Sequence, residues 1–414
     1  MSKIKVLVVP SDRTGVSKFR SVDPHLHLQK LYPDDFWVDI DYSPKLEDVN
    51  YLKKYDIIHY HRSLGPDYNR SAKAVKLIQN LGIVDIMDLD DYWLPNKEHP
   101  AYMMIKNNNM DKLIVENLSL AGNVTTTTPT FKIEIEKYCK HTHILPNAVN
   151  PEEKQFNINP EETSKVRVGW LGGSSHLADL QILNGVVGKL SPIKDKIQFV
   201  LCGYDVRGTT TQINQETGEQ KTRKIEPHES VWYKYESIFT DGYKTIDVDY
   251  KNFLNEFKQE EYGNPGNLPY RRVWTRPITT YADNYNKFDI SLAPLKHHTF
   301  NRVKSQLKVI EAGFHKKALI VQDFGPYQID CINAIEKGGK INPDGNCLMV
   351  EKNKNHKLWA KYIKMLVEDS ELRKMLGENL HRDVQKYHIK NVTKNRAELY
   401  KKLVKENKKQ PITQ

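Results

Sequence analysis

The chain has 414 residues, a formal net charge of +10 at pH 7 and 39% hydrophobic residues. This length suits two domains of about 150–200 residues each, and no apolar run reaches the roughly 18 residues of a membrane-spanning helix, which excludes one. Four scattered cysteines without a CxxC pair argue against a disulfide framework or a structural zinc site, and favour a reducing cytoplasm. The basic charge favours an acidic partner: a nucleotide diphosphate, an anionic membrane face or nucleic acid.

The first 150 residues alternate short apolar runs with helical patterns. Helices are predicted at Arg70–Leu81 and Phe131–Tyr138. Buried parallel strands read as continuous apolar runs, and strands that alternate with helices form βαβ units. Residues 1–150 therefore predict a Rossmann-like domain. Its predicted strands are Lys5–Val9, Asp56–Tyr60, Val84–Leu89, Val124–Thr128 and His143–Leu145.

A polar stretch, Asn147–Lys165, carries two prolines and many carboxylates, and we place the interdomain linker at residues 151–165 within it. The pattern then restarts, so residues 166–386 predict a second Rossmann-like domain. A ligand is expected between the two domains, beyond the carboxyl ends of the strands. The predicted strands are Val166–Leu171, Ile197–Cys202, Asp289–Ala293 and Ala318–Val321. The predicted helices are Leu177–Leu190, Lys304–Phe314, Trp359–Val367 and Glu371–Tyr387.

Two further regions do not follow this alternation of strands and helices. Residues from about 205 to 272 predict an insertion in the second domain, with a hairpin around Glu216–Glu219. Residues 387–414 predict a final helix with a basic tail. That tail suits either a solvated helix end or weak electrostatic attachment to an anionic membrane face. Its lysines are Lys401, Lys402, Lys405, Lys408 and Lys409.

Six segments, taken in order, resemble the family-four-like GT-B glycosyltransferases of bacteria and phages, also called glycosyl transferases group 1. The first combines a glycine loop with an aromatic–arginine pair and a proline. The segments are SDRTGVSKFRSVDPHLHL (with Gly15, Phe19, Arg20 and Pro24), IMDLDDYWLPNKEHP, VTTTTPTFKIEIEKYCKHTHILPNAVNP, VGWLGGSSHLADL, ISLAPLKHHTFNRVKSQLKVIEAG with the following Gly325–Tyr327, and Tyr387–Tyr400.

The resemblance implies an α/β fold of two Rossmann-like domains facing across a cleft, with the C-terminal helix crossing back to the first domain. It implies a nucleotide-sugar donor, UDP- or GDP-linked, and transfer with retention, in which the departing phosphate helps to deprotonate the acceptor hydroxyl. It implies no cofactor and no bound metal, because helix dipoles and cations neutralise the leaving diphosphate.

The donor site is expected at Phe300–Glu311. Glu311 lies in an otherwise amphipathic stretch, where a buried carboxylate needs partners, and the resemblance assigns it to the ribose hydroxyls. The alternative is an exposed carboxylate paired with Lys308. Asn301 is expected to bind the donor or the backbone.

The start of the same predicted helix is the expected diphosphate site. Free N–H groups near Lys304 and Ser305 would favour an anion. Lys304 and Lys308 lie on one helical face and are expected to flank the diphosphate, whereas Ser305 either donates to a phosphate oxygen or only caps the helix.

A second phosphate cradle is expected just after the strand that opens the second domain. Glycines let a phosphate approach the backbone, and serine hydroxyls add donors. An ordinary βα turn and a surface histidine are the alternatives. The cradle residues are Gly172, Gly173, Ser174, Ser175 and His176.

The sequence departs from the family pattern in two places. Val303 stands eight positions before Glu311, where the family has a glutamate that touches the sugar. The family's basic pair after the glycine loop is not evident either. Lys304, Lys308, or one of Arg271, Arg272 and Arg276 would have to substitute for it.

The first domain is expected to supply the acceptor side. Gly15 would let a ligand approach the backbone, and Arg20 would hold an anionic group. Asp88, Asp90 and Asp91 cluster at the end of a strand, so at least one should face the cleft; a helix N-cap or a surface acidic patch is the alternative. The candidate catalytic residues are Asp90, Asp91, His61 and Lys304.

The sequence therefore predicts a cytoplasmic, metal-independent glycosyltransferase, peripheral at the inner membrane face if the basic tail binds lipid. Its acceptor would be a glycan or a lipid-linked molecule. A glycosyltransferase that modifies DNA bases and an inactive GT-B binding protein are the alternatives. A Rossmann dehydrogenase is disfavoured, because no GxGxxG follows the first strand.

Overall fold

The computed structural model describes residues 2–205, 208–213, 220–226, 229–240, 268–352 and 356–409. Its contacts divide the chain into two compact units. Unit 1 comprises Met1–Pro151, His298–Leu307 and Gln385–Gln414, and unit 2 comprises Glu152–His297 and Lys308–Val384. Each unit is therefore assembled from separate stretches of sequence.

Unit 1 is built on a six-stranded parallel sheet of order β2-β1-β3-β4-β5-β6. The buried runs predicted from the sequence form this sheet, as expected. The added edge strand β2 was not predicted, because its sequence FWVDI leaves Trp37 half exposed and breaks the apolar run. The strands are β1 Ile4–Val9, β2 Phe36–Ile40, β3 Ile57–His61, β4 Val84–Leu89, β5 Asn123–Thr126 and β6 Thr142–Ile144.

Helices cover both faces of this sheet with apolar side chains. Leu7, Ile58 and Met87 belong to one cluster, and Val6 and Ile57 belong to another on the opposite face. The alternation along each strand places successive residues on opposite faces. The helices along the chain are α1 Gly15–Ser17, α2 Asp23–Leu31, α3 Val49–Leu52, α4 Tyr68–Asn80, α5 Tyr102–Asn107, α6 Met110–Leu120, α7 Pro129–Ile135, α8 Leu177–Leu180, α9 Val186–Lys189, α10 Val231–Thr240, α11 Thr299–Arg302, α12 Leu307–Phe314, α13 His356–Glu368, α14 Ser370–Val384 and α15 Ile389–Asn407.

The last helix, α15, packs within unit 1. Its residues Ala397, Tyr400 and Leu403 share a buried cluster with Leu28 of α2 and Phe36 of β2. The prediction that the C-terminal helix returns to the first domain is therefore confirmed.

Unit 2 is built on a second six-stranded parallel sheet, of order β11-β8-β7-β12-β13-β14. A separate antiparallel pair, β9 with β10, forms the ladder of the predicted hairpin; its connection, residues 214–219, lies outside the described residues. The strands are β7 Val166–Leu171, β8 Ile197–Tyr204, β9 Thr209–Ile213, β10 Gln220–Lys224, β11 Tyr270–Trp274, β12 Ile290–Ala293, β13 Ala318–Gln322 and β14 Leu348–Val350.

The region expected as an insertion also contributes to the core of unit 2. Strand β11 extends the main sheet, and Trp232, Tyr235 and Phe239 of α10 are buried in its principal hydrophobic cluster. Residues 241–267 lie outside the described residues.

Two predicted helices differ in the structure. The stretch predicted at Leu177–Leu190 is broken into α8, a 3-10 turn and α9, because Gly185 adopts φ +85° between them. The helix predicted from Lys304 begins only at Leu307. The intervening residues are held in unit 1 by the burial of Val303 and by a 3.1 Å hydrogen bond from Asn147 to the Ser305 hydroxyl.

The remaining predicted helices shift by a few residues at their ends. The helix predicted at Glu371–Tyr387 is α14, Ser370–Val384, followed by a 3-10 turn at Gln385–Tyr387. Among the described residues, no helix is both long enough and apolar enough to span a bilayer.

Candidate functional site

The glycine loop of unit 2 follows β7, as the sequence predicted, but its two glycines differ. A Cβ on Gly172 would lie 2.4 Å from the Trp170 ring and 3.1 Å from Nζ of Lys308, so this glycine is required by internal packing. A Cβ on Gly173 would meet no atom of the described residues within 4 Å. Gly173 is exposed, and so is Ser174 beside it. Gly173 is therefore the position at which a ligand can approach the backbone.

The histidine at the end of this loop is held in a fixed orientation. His176 Nδ1 donates to Asp179 at 2.8 Å, and Asp179 also accepts from the backbone N–H of Lys296 at 2.8 Å. The hydroxyl of Tyr235 accepts from the His176 backbone N–H at 2.9 Å and donates to the Gly173 carbonyl at 3.2 Å. Asp179 and Tyr235, which the sequence argument missed, thus set the shape of the loop.

Glu311 is buried in unit 2, with 3% of its surface exposed. Its carboxylate accepts hydrogen bonds from the hydroxyls of Tyr281 and Tyr285, the latter at 3.1 Å. The alternative of an exposed Glu311 paired with Lys308 is therefore wrong. Two tyrosine donors leave further lone pairs on an ionised carboxylate, which can accept from a ligand hydroxyl.

Burial dominates the electrostatics of Glu311. It raises the pKa of this carboxyl to about 7, although the two tyrosine hydroxyls and the positive charge of Lys308 act in the opposite direction. The carboxyl group therefore changes its charge near neutral pH. A perturbed, buried carboxylate is typical of functional sites, although structural networks produce it too.

Lys308 interacts with both Glu311 and the glycine loop. Its ammonium group donates to the carbonyl oxygen of Leu171, the residue before Gly172, and lies 4.9 Å from the ring centre of Trp170. The same charge acts on Glu311, one helical turn further along. Unit 2 thus brings together three of the predicted donor-site elements: the loop, Lys308 and Glu311.

The other half of the predicted donor segment belongs to unit 1. Val303 is fully buried in a unit 1 cluster, which explains why a valine stands where the family pattern has the earlier glutamate of the pair. Lys304 Nζ lies 4.9 Å from the ring centre of Phe300, and Asn301 is buried at 2% exposure. Because the helix begins at Leu307, Lys304 and Ser305 do not lie at its N-terminus, and that expectation is wrong.

Arg20 in unit 1 is only 1% exposed, and all three nitrogens of its guanidinium group donate hydrogen bonds. Its guanidinium group forms a bidentate pair with Asp88 at 2.9 and 2.7 Å, and donates to the Leu145 carbonyl at 2.7 Å and to Asn147 at 3.1 Å. Asp88 also accepts from Thr125 at 2.6 Å. These contacts fix the strand ends of unit 1. They engage the guanidinium group that was expected to hold an anionic ligand.

A hydrogen-bonded chain lies beyond the ends of β1, β3 and β4. His61 Nε2 donates to Asp90 at 2.9 Å, and the hydroxyl of Ser11 lies 2.8 Å from His61 Nδ1. In the neutral imidazole, Nδ1 is then the acceptor. Burial opposes the ionisation of Asp90, but the hydrogen bond and charge of His61, together with Arg62 and Arg20, lower its pKa well below the usual range.

Asp91 follows Asp90 directly, and its carboxylate lies 3.9 Å from Nη2 of Arg62. Burial and the negative charge of Asp90 raise the pKa of Asp91, whereas Arg62 and Lys304 act against that rise. Gly15 opens the short helix α1. Three of the four candidate catalytic residues, His61, Asp90 and Asp91, therefore share one edge of the unit 1 sheet.

The arginines proposed as substitutes for the family's basic pair are paired inside unit 2. Arg271 donates to Glu161 at 2.6 Å, fully buried Arg272 pairs with Glu236 at 2.6 Å, and Arg276 pairs with Asp283 at 2.8 Å. Lys308 is thus the predicted cation that contacts the glycine loop.

The structure also identifies site residues that the sequence argument did not find. Tyr281 and Tyr285, which hold Glu311, stand four residues apart in YADNYNKF, the spacing of neighbouring side chains on an α-helix, although the segment forms a 3-10 helix. No sequence pattern identified Ser11, which contacts His61. Among the described residues, no cluster of three or more histidine, cysteine or acidic side chains is arranged to hold a metal ion.

No family model matches the chain, and no curated protein matches its sequence. Solved structures match nearly its whole length. The Anabaena protein HepE in complex with UDP has 12% identity and a TM-score of 0.57, with 97% of this chain and 100% of that chain covered. Sucrose-phosphate synthase from Thermosynechococcus elongatus has 13% identity and a TM-score of 0.58, with 98% and 100% covered.

A glycosyltransferase from Rickettsia africae is similar to the same degree, with 14% identity, a TM-score of 0.57, and 98% of this chain and 100% of that chain covered. At these identities the likeness shows the fold. The chain has the α/β GT-B fold with two parallel sheets, and the fold predicted from the sequence is confirmed.

Proposed function

We propose that this protein is a glycosyltransferase that moves a sugar from a nucleotide-sugar donor to an acceptor hydroxyl. The observation that carries the proposal is the buried Glu311 carboxylate of unit 2, joined through Lys308 to the glycine loop. A carboxylate for a ribose diol and a cation beside an open backbone loop are the two groups that a nucleoside diphosphate needs.

The donor is proposed to be a UDP-sugar. HepE, which shares the fold, has been solved with UDP, with UDP-glucose, and with UDP and glucose. In this chain, Glu311 would accept from the ribose hydroxyls, and Lys308 would face the diphosphate. The exposed backbone of Gly173, with Ser174, Ser175 and His176, would supply donors to the phosphate oxygens.

Unit 1 is proposed to orient the acceptor. His61, whose two ring nitrogens are engaged by Asp90 and Ser11, is fixed in its orientation, and Arg20 supports this edge of the sheet through Asp88. Asp91 and Lys304 add charge nearby. Such groups contribute by positioning, which converts an encounter into an oriented reaction.

We propose transfer with retention, in which the departing phosphate assists deprotonation of the acceptor, and Lys308 and the loop N–H groups stabilise the leaving diphosphate without a bound metal. The acceptor is proposed to be a glycan or a lipid-linked molecule. Membrane attachment through the C-terminal tail has less support, because Lys401 pairs with Asp35 at 2.6 Å and Lys408 lies 3.9 Å from Asp56.

A thermal-shift screen against UDP-, GDP-, CMP- and ADP-sugars tests the proposal, because a ligand that binds only the folded state raises the melting temperature. UDP-sugars are expected to give the largest shift, and hydrolysis of the same donor is expected to persist with EDTA present. A folded protein that neither binds nor turns over any of these donors would refute the enzyme assignment. Tight binding without turnover would instead support the inactive GT-B alternative.

A second candidate function, transfer to DNA bases, is motivated by the net charge of +10. It predicts DNA binding with a steep salt dependence, because phosphate contacts release counterions. Salt-insensitive or absent DNA binding would exclude it.

A further inference from the structure

Unit 2 contains a group of buried cations that the proposed donor site does not use. We call it the basic recess; it consists of Arg167, Arg271, Lys287 and Lys317, which are exposed by only 1, 6, 7 and 5%. Buried arginines and lysines are rare unless they are paired, because removal of a charge from water is costly.

The strand register brings part of this recess to one edge of the sheet. Ile290 of β12 pairs with Val168 of β7 and with Ala318 of β13. The residues that precede these three positions are Asp289, Arg167 and Lys317. They therefore lie side by side at the amino ends of the strands.

The two carboxylates that meet the recess are Asp289 and Glu161. Arg167 donates to Asp289 through Nη2 at 3.1 Å and through its backbone N–H at 2.8 Å. Glu161 accepts from Lys287 at 2.8 Å and from Arg271 at 2.6 Å. Burial opposes its ionisation, but these two bonds lower the pKa of Glu161 to about 2.

Among the described residues, the four cationic side chains of the recess meet the carboxylates of Asp289 and Glu161. Arg167 Nη1 is 3.8 Å from Glu161, too far for a hydrogen bond, and among the described residues neither this nitrogen nor Nε of Arg271 has a hydrogen-bond partner. Burial and the charge of Arg167 lower the pKa of Lys317 to about 8, although Asp289 opposes this. Buried guanidinium N–H groups without partners favour an added anion, because an acceptor would remove the cost of leaving them unsatisfied.

Glu161 is the group that such an anion would displace. Its side chain is 43% exposed, although the cations around it are buried. It lies on a segment that the side chain of Asn286 fastens through two hydrogen bonds, from the Asn159 N–H at 3.0 Å and to the Asn157 carbonyl at 2.9 Å, while the Asn286 backbone carbonyl accepts from the Glu161 N–H at 3.5 Å. The segment can therefore stay in place while the carboxylate swings outward.

We propose that the basic recess is a binding site for a doubly charged oxyanion, inorganic phosphate or a phosphate monoester, with Glu161 as a tethered competitor for the same cations. The site is distinct from the proposed donor site. Arg167 lies near the start of β7 and Gly172 follows its end, so about 16 Å of strand separates them.

Substitutions of Glu161 and of Arg271 are expected to change the phosphate affinity in opposite directions, which makes the proposal testable. Calorimetric titration with inorganic phosphate, at constant ionic strength set with chloride, is expected to show at least about fivefold tighter binding to Glu161→Gln than to the wild-type protein, because one competing charge is removed. Arg271→Gln is expected to bind phosphate at least about fivefold more weakly. Glu162→Gln removes a neighbouring carboxylate and is the matched control, with unchanged affinity.

A merely structural role for Glu161 predicts a different pattern, in which Glu161→Gln loses stability and gains no phosphate affinity. That result, or equal affinity in all four proteins, would overturn the proposal. If Arg271→Gln does not fold, Lys317→Gln provides the same test. A titration with glycerol phosphate separates the sources: tighter binding than inorganic phosphate indicates a monoester site, and weaker binding indicates a site for the free ion. UDP affinity is expected to be unchanged in each folded variant.

Discussion

The hydroxyl of Tyr285 donates a 3.1 Å hydrogen bond to Oε2 of Glu311, inside unit 2 and away from solvent. Tyr281 donates to the other carboxylate oxygen. The two tyrosines hold the carboxylate in one orientation while burial raises its pKa to about 7. A pre-oriented carboxylate of this kind is costly to the fold and useful to a ligand that brings its own hydroxyl donors.

Glu311 is expected to make the stability of the protein depend on pH. Its folded-state pKa lies above the ordinary value, so its favourable contribution is present in acid and is lost as the pH rises through about 7. Glu311→Gln is expected to gain up to about 3 kcal/mol of unfolding free energy relative to wild type between about pH 5 and pH 8. Urea unfolding at several pH values measures this difference.

Other buried carboxyls titrate in the same range, among them Glu236 at about 7 and Asp85 at about 6. The comparison is therefore the difference between variant and wild type, in which these common contributions cancel. Parallel stability curves for the two proteins would show that Glu311 does not titrate near neutrality.

The two loop glycines provide a matched pair of substitutions. Gly172→Ala is expected to destabilise the protein by about 1–3 kcal/mol, because its Cβ would lie 2.4 Å from the Trp170 ring. Gly173→Ala is expected to leave the melting temperature unchanged, because its Cβ would meet none of the atoms that the structure describes within 4 Å, and to weaken UDP binding. Thermal unfolding with and without UDP checks both. Unchanged UDP affinity in Gly173→Ala would remove the loop from the donor site.

Arg20 is expected to contribute chiefly to folding. Arg20→Met leaves the buried Asp88 without its bidentate partner, which typically costs about 3–5 kcal/mol. Arg62→Met is the control, since Arg62 is partly exposed and lies 3.4 Å from Asp90, a pair for which about 0–1 kcal/mol is typical. Denaturant unfolding distinguishes them, and equal losses in the two variants would contradict the structural role of Arg20.

His61 is expected to matter for the acceptor step and not for the donor. His61→Gln should lower kcat/KM for the acceptor by about tenfold or more, because the oriented imidazole is lost, while UDP affinity stays at the wild-type value. Asp90→Asn should give a smaller loss in the same direction. Exposed His141→Gln is the control. A loss of UDP affinity in His61→Gln, at unchanged stability, would move His61 to the donor side.

Local sequence patterns predicted the sheets well and the site in part. Strands such as Val84–Leu89 are continuous apolar runs, and these were found. Strand β11 was missed because Arg271 and Arg272 interrupt its apolar character, and their burial depends on distant carboxylates. An amphipathic pattern correctly placed Glu311 on a buried helix face.

The start of that helix could not be predicted in the same way. Helical propensity continues through Lys304 and Ser305, but Ser305 is hydrogen-bonded to Asn147, 158 residues earlier in the chain. Tertiary contacts of this kind override local preference and leave no periodic signal. For the same reason, the contact between Ser11 and His61, which are 50 residues apart, could not be predicted.

Calorimetric titration of UDP is the sharpest test of whether Glu311 binds the donor nucleotide. Wild-type protein and the control Glu162→Gln are expected to bind UDP equally, and Glu311→Gln is expected to bind about 10- to 100-fold more weakly, because a hydrogen bond to a charged group contributes about 1.5–3 kcal/mol. Wild-type UDP affinity in a folded Glu311→Gln protein would contradict this role of Glu311.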